Sequence, residues 1–217
     1  MKLDRPYSFF ENEDVLNSRM DEYYDFIRGC LRHFEEVVAE ALLDILVERA
    51  GDEIRKDGIT PFTRHQCDQA MYTFAMIGHY KDLNENVPLH DPMAVVRLNI
   101  GHDHLEDLFE SEAELIHDLR TRLGVSYGSD TDKLIRTTVA EIRIMSKKFK
   151  GQKEDECSDY EFHWRVAHNA NTSIARLCDT IHNSSTKSRI PKKTITEQAE
   201  DADRVSRLIL HPSYPGR

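Results

Sequence analysis

Cysteine is scarce and unpatterned. Cys30, Cys67, Cys157 and Cys178 are the four in 217 residues, with no CxxC spacing. They read as reduced packing thiols of a cytoplasmic protein, not as a disulfide framework. Long apolar runs are absent as well: no stretch approaches the roughly 20 residues that span a bilayer, so no membrane segment is expected. The opening Met1-Lys2-Leu3-Asp4-Arg5-Pro6 leads into charged residues, so a secretory signal segment is not expected either. Basic charge is in deficit, with 29 Lys+Arg against 39 Asp+Glu and a net charge of −10. That argues against general binding to nucleic acid or an anionic membrane, both of which need a basic surface. It leaves room for a small anionic substrate whose phosphates are held by a metal ion and a few local cations. Strand alternation, internal repeats and sustained heptads are also missing.

What remains is helical periodicity. Hydrophobic residues make up 39% and charged residues 31%, which fits a globular protein with a modest core at the upper end of one domain. The expected fold is all-α, a single helical bundle. Val15, Met20, Tyr23, Tyr24, Phe26, Ile27, Cys30, Leu31 and Phe34 recur at spacings of three and four, so a strongly helical pattern is predicted from about Glu13 to Arg55. Its stretch from Val37 to Val47 is apolar enough for a core helix. Gly58 and Pro61 then interrupt, and a helix over about 64–77 carries Met71, Phe74 and Ile77 on its packing side. Asp91 and Pro92 read as the N-cap and first position of a helix that runs into His102-Asp103. Residues 109–130 read as acidic and then turn-rich. Helices are predicted over about 131–148 and 159–183, with Ser184-Ser185-Thr186 as a break and a short amphipathic piece near Val205–Leu210. Lys147, Lys148 and Lys150 suit a helix C-terminus.

The densest chemistry lies in Gly101-His102-Asp103-His104-Leu105-Glu106-Asp107-Leu108. If this stretch is α-helical, His102 and Glu106 stand at i and i+4, as do Asp103 and Asp107, within an arc of about 140°. Four ionisable groups on one face call for compensation, and a divalent cation with mixed His/Asp ligands is a common form of it. A solvated acidic face is the plain alternative. His104 points about 100° away from Asp103 and is not assigned as a ligand. His90-Asp91 is the other His-Asp pair, but Pro92 follows it and no carboxylate pair stands one turn later.

Two further positions complete a ligand set. His65 opens a helix after a basic loop, where a lone histidine is more often structural. Asp179 sits in the apolar run Ile174-Ala175-Arg176-Leu177-Cys178-Asp179-Thr180-Ile181-His182-Asn183, where an unpaired carboxylate is costly. Together His65, His102, Asp103 and Asp179 offer two imidazoles and two carboxylates, which suit Mn²⁺, Fe²⁺ or Zn²⁺ with positions left for water. A bound metal acidifies that water. Glu106 and Asp107 are placed to orient it and move protons. Arg55, Lys56 and Arg64 adjoin the first ligand and can grip phosphate oxygens. The set fits metal-assisted hydrolysis of a phosphate ester or anhydride.

These blocks resemble a known family. The order H…HD…D is the signature of the HD superfamily of metal-dependent phosphohydrolases. The likeness is greater to the hydrolase domain of RelA/SpoT homologues and to the stand-alone small alarmone hydrolases. Three blocks carry it: Arg55-Lys56-Asp57…Thr60-Pro61-Phe62…His65, His102-Asp103-His104-Leu105-Glu106-Asp107, and Leu177-Cys178-Asp179-Thr180-Ile181-His182-Asn183 with Thr186 beyond. The resemblance implies Mn²⁺ on His65, His102, Asp103 and Asp179, water activation by Glu106 and Asp107, and nucleotide contacts from Arg55, Lys56, Asn183 and Thr186. It implies removal of the 3′-pyrophosphate of (p)ppGpp, leaving GDP or GTP. Departures are Gln66 where the family commonly has Pro, a longer stretch between His65 and His102, and Arg176 and Cys178 in place of Lys and Ala.

By this likeness the HD core spans residues 50–187. Residues 1–49 form a helical extension on it, and residues 188–217 form a tail with a short helix. These flanks are expected to cover the core or to make a homo-oligomer contact. The alternative functions are HD hydrolysis of another nucleotide, such as a dNTP or NADPH, and a catalytically silent nucleotide sensor. The intact Glu106-Asp107 pair counts against the sensor.

Overall fold

The computed structural model describes residues 19–51, 53–54, 61–82, 91–152 and 159–186, without the side chains of residues 81, 159–160 and 184–186. The described residues form eight α-helices and one π-helical turn, with no strand; an isolated bridge joins Ile54 to Pro61. The all-α expectation therefore holds. No helix among these residues is long and apolar enough to cross a membrane.

The N-terminal periodic region is two helices. α1 (Met20–His33) buries Tyr23, Tyr24, Ile27, Cys30 and Leu31, the three-and-four spacing of one apolar face. α2 (Val37–Ala50) buries Val38, Ala39, Ala41, Leu42, Leu43, Ile45 and Leu46, so it is the core helix its composition predicted. The break between them has a local cause and a tertiary one. Glu35 adopts a left-handed backbone, φ 57°. Glu36 N–H donates to Leu31 O and Glu35 N–H to Arg32 O, the paired bonds of a Schellman C-cap, with Glu where Gly is usual. Arg97 Nη1 then donates to both carboxylate oxygens of Glu36 at 2.8 Å, pinning the start of α2 to α4.

α4 (Pro92–Gly101) is the centre of the bundle. It is flanked by α2, by α3 (Phe62–Asp82), by α6 (Asp130–Met145) and by α8 (Ala170–Thr186). Asp91 caps it, accepting from Ala94 N–H at 2.9 Å, with Pro92 in the first position as predicted. Every residue from Ala94 to Gly101 is buried. Gly101 is needed for that closeness: a Cβ there would meet Ile142 Cδ1 at 2.6 Å and Leu42 Cδ1 at 3.3 Å.

Other differences from the sequence reading have identifiable causes. α5 (Glu112–Leu123) lies within the stretch read as acidic and turn-rich. Ser111 Oγ caps it, accepting from Glu114 N–H at 3.2 Å, and Gly124 ends it in the left-handed conformation. Leu115 and Leu119 supply its buried side. The last long helix is also two: α7 (Asp159–Ala167) and α8, parted where the Asn169 side chain accepts from Asn171 N–H and Thr172 N–H. α8 continues through Ser184-Ser185-Thr186 instead of breaking there. The short piece predicted near residues 205–210 lies outside the described residues.

Candidate metal centre

The first turns of α3 carry buried polar groups one after another: Thr63, Arg64, His65, Gln66, Asp68, Gln69 and Thr73. Each polar atom removed from water costs free energy unless a partner replaces the lost hydrogen bonds. The partners come from α1, α4 and α8, and together they build the site. Asn99 on α4 joins α3 to α4, donating to Gln69 O at 3.0 Å and Thr73 Oγ1 at 3.1 Å.

His65, His102 and Asp179 converge from α3, the end of α4 and α8. All three are buried, and one ligand atom from each lies within 4.8 Å of the others. His65 Nε2 is 3.0 Å from Asp179 Oδ1, and His102 Nε2 is 3.8 Å from the same oxygen. Ligands about 2.1 Å from one ion stand about 3–4 Å apart, so this group can hold a divalent cation. Two further observations support the fit. His102 Nε2 is buried and makes no hydrogen bond, although the Asp103 and Asp179 carboxylates stand close to it. His102 Nδ1 donates to Asn99 O at 3.0 Å, which leaves Nε2 as the atom turned to the group. Asp103 adjoins the three: its Oδ2 lies 3.2 Å from His102 Nε2 and accepts from Gln66 Nε2 at 2.9 Å.

The charges are tightly coupled. Burial alone would lower the His102 pKa, but the Asp103 and Asp179 carboxylates outweigh it and raise it to about 9. Burial would likewise raise Asp103, yet His102 holds it at about 2. Asp179 lies far below the ordinary carboxylate range: burial opposes this, and Arg176 with the two histidines prevails. Arg176 Nη1 donates to Asp179 Oδ2, and Asn183 Nδ2 donates to Oδ1 at 2.6 Å.

The stretch after Asp103 is not a continuous α-helix. α4 ends at Gly101, two turn residues follow, and His104–Leu108 form a π-helical turn closed by Phe109 N–H on His104 O at 2.9 Å. Lys150 N–H fixes this shape from outside, donating to Leu105 O at 2.8 Å and Phe109 O at 3.0 Å. The regular α-helix assumed for these four groups is therefore interrupted, although Asp107 N–H still donates to Asp103 O at 2.9 Å. Glu106 is partly buried and accepts from Lys147 N–H, while Asp107 is exposed. Burial raises the Glu106 pKa; the Lys147 N–H opposes this, and Asp103 and Asp107 add to it. His104 faces the core, with Nε2 donating to Leu42 O at 3.0 Å and its ring stacked on Phe109, away from the ligands as expected.

Arg64 is committed inside the protein, with Nε 3.3 Å from Asp68 Oδ2, and does not face outward to grip phosphate. Thr186 ends α8. Arg55 and Lys56 lie outside the described residues, as does the side chain of Thr186.

Sequence reasoning missed the two glutamines and Asp68. Gln69 Nε2 donates to His65 Nε2 at 2.7 Å and to Asp179 Oδ1 at 3.2 Å, and Gln66 holds Asp103. The trace in the sequence is the unbroken polar run Thr63–Gln66, resumed at Asp68, in a helix that needs buried sides. The chain matches no protein-family model, no curated protein and no solved structure.

Proposed function

We propose that this chain is a Mn²⁺-dependent phosphohydrolase of the HD type that removes pyrophosphate from the 3′ position of (p)ppGpp. The observation that carries the reading is the meeting of His65, His102 and Asp179, from three helices far apart in the chain, at one buried point. The order of these residues along the chain is the H…HD…D order of the motif blocks.

A divalent cation bound there supplies a Lewis acid for a phosphoryl oxygen and a more acidic water. The chain supplies the rest. Asp103, held by Gln66, completes the ligand set. Glu106 has a raised pKa and a carboxylate fixed by Lys147 N–H, which suits it to accept the proton of an attacking water. Water adds to the phosphorus on the 3′ oxygen, the bond from that oxygen to phosphorus breaks, and the 3′ oxygen takes up a proton. Arg55 and Lys56 bind the substrate phosphates. Asn183, whose amide nitrogen donates to Asp179 Oδ1, contacts the nucleotide.

The test is a Mn²⁺-supplemented turnover panel of ppGpp, dNTPs and NADPH with product identification. Pyrophosphate and GDP from ppGpp are expected, and Asp103→Ala is expected to abolish both Mn²⁺ binding and turnover. Turnover of dNTPs or NADPH alone reassigns the substrate. Mn²⁺ binding without turnover of any of them makes the chain a sensor.

A further inference from the structure

Behind the candidate ligands a buried chain of hydrogen bonds runs back through α8 to α1. His65 Nδ1 lies 2.8 Å from His182 Nδ1, and His182 Nε2 lies 3.1 Å from Asp68 Oδ2. Asp68 also accepts from the Tyr23 hydroxyl at 2.8 Å and lies 3.3 Å from Arg64 Nε. His65, Asp68, His182 and Tyr23 are all buried, so the order of protons along this chain is set by the protein and not by water.

That order can be read from the carboxylate end. A carboxylate only accepts, so His182 Nε2 carries a proton. A His182 that carries its proton at Nε2 alone offers a lone pair at Nδ1, and His65 Nδ1 is then the donor to it. His65 is left with its lone pair on Nε2, the atom that faces Asp179. The reverse order would set the Nε2 lone pair of His182 against the Asp68 carboxylate at 3.1 Å, whereas in the first order the facing acceptors are His65 Nε2 and Asp179 Oδ1 at 3.0 Å, the pair that a cation between them satisfies. Gln69 agrees with the first order: its amide nitrogen is 2.7 Å from His65 Nε2 and 3.3 Å from Nδ1, so the shorter bond goes to the nitrogen with the lone pair.

We infer that Asp68 and His182 are positioning residues that hold His65 in its Nδ1–H tautomer, so that Nε2 is presented to a divalent cation; this rests on the metal reading of the site. His102 reaches the same state by a shorter route, through the Asn99 carbonyl. The two imidazoles of the centre are thus oriented independently, one by backbone and one by an imidazole–carboxylate pair. An outer partner of this kind fixes the ring and increases its basicity as a ligand.

The experiment uses the full chain labelled with ¹⁵N-histidine and loaded with Zn²⁺, a diamagnetic probe, read by long-range ¹H–¹⁵N correlation. The expected spectrum shows His65 protonated at Nδ1 with Nε2 metal-bound, and His182 protonated at Nε2 alone. A His182 protonated at Nδ1, or a His65 bound through Nδ1, overturns the inference. In parallel, Asp68→Asn is expected to weaken Zn²⁺ binding by about 10–100-fold in calorimetry. Tyr23→Phe, which keeps the carboxylate, is expected to bind Zn²⁺ like the wild type. Unchanged affinity in a folded Asp68→Asn protein also overturns the relay. Should that variant not fold, the labelled wild type decides alone. Failure of the wild type to bind Zn²⁺ overturns the metal reading together with the inference. Intact binding with the opposite tautomer overturns the relay only.

Discussion

The amide nitrogen of Gln69 lies 2.7 Å from Nε2 of His65, the atom that faces Asp179 across the candidate metal centre. It donates to Asp179 Oδ1 as well, at 3.2 Å. One neutral donor thus engages two of the lone pairs that a cation would use. Gln69→Leu removes that competitor while keeping a side chain of similar length. Metal affinity is expected to rise by about tenfold, roughly 1.4 kcal/mol, within the range for hydrogen bonds to charged groups. Calorimetric titration with Mn²⁺ checks this; weaker binding would mean that the Gln69 amide oxygen is itself a ligand.

Glu106 is the acid–base group of the proposed reaction. Glu106→Gln keeps an oxygen to accept from Lys147 N–H, so the π-helical turn should survive. Turnover is expected to fall by about two to four orders of magnitude with Mn²⁺ affinity retained. A variant that loses affinity but keeps kcat would remove Glu106 from the proton path.

Glu35 ends α1 in a conformation that favours glycine, φ 57°. A left-handed backbone costs an L-residue with a Cβ roughly 1–2 kcal/mol, part of which glycine returns as unfolded-state entropy. Glu35→Gly is expected to stabilise the fold by about 1 kcal/mol, seen as a higher urea midpoint with an unchanged slope. A lower midpoint would show that the Glu35 side chain holds something the backbone geometry does not reveal.

His104 makes the fold sensitive to acid. Burial pushes its pKa down to about 4, and the bond to Leu42 O only partly resists this. Its Nδ1 is buried without a hydrogen-bond partner, so the added proton has nowhere to bond. The unfolded chain takes up that proton near pH 6.5, whereas the fold resists it until about pH 4. The contribution of this group is therefore complete above pH 6.5 and lost as pH falls from 6.5 to 4, up to roughly 3 kcal/mol. Urea unfolding across that window should show the loss in the wild type and a flatter profile in His104→Leu. Parallel profiles would clear His104 of the effect.

Much of the architecture was legible because its signals are local. Asp91-Pro92 announced the start of α4, and the apolar stretch Val37–Val47 announced a core helix; both act through their own backbone and composition. α5 had local signals too, Ser111 and Gly124, but its acidic composition concealed the short apolar side at Leu115 and Leu119. The breaks at Phe34–Glu36 and at His102-Asp103 were not legible. The first is secured by Arg97 reaching Glu36 from another helix, the second by Lys150 bonding the carbonyls of the π-helical turn.

The sequence by itself determined which side chains could carry metal chemistry, since imidazole and carboxylate are properties of the residue and not of its place. It also determined the helical class, through apolar periodicity. The tertiary structure decided that His65, His102 and Asp179 meet, that Asp107 is exposed while Glu106 is partly buried, and that Asp68 and His182 stand behind His65. Those outcomes depend on how α3, α4 and α8 pack. Helix packing is set by the whole core, and no window of the chain contains it.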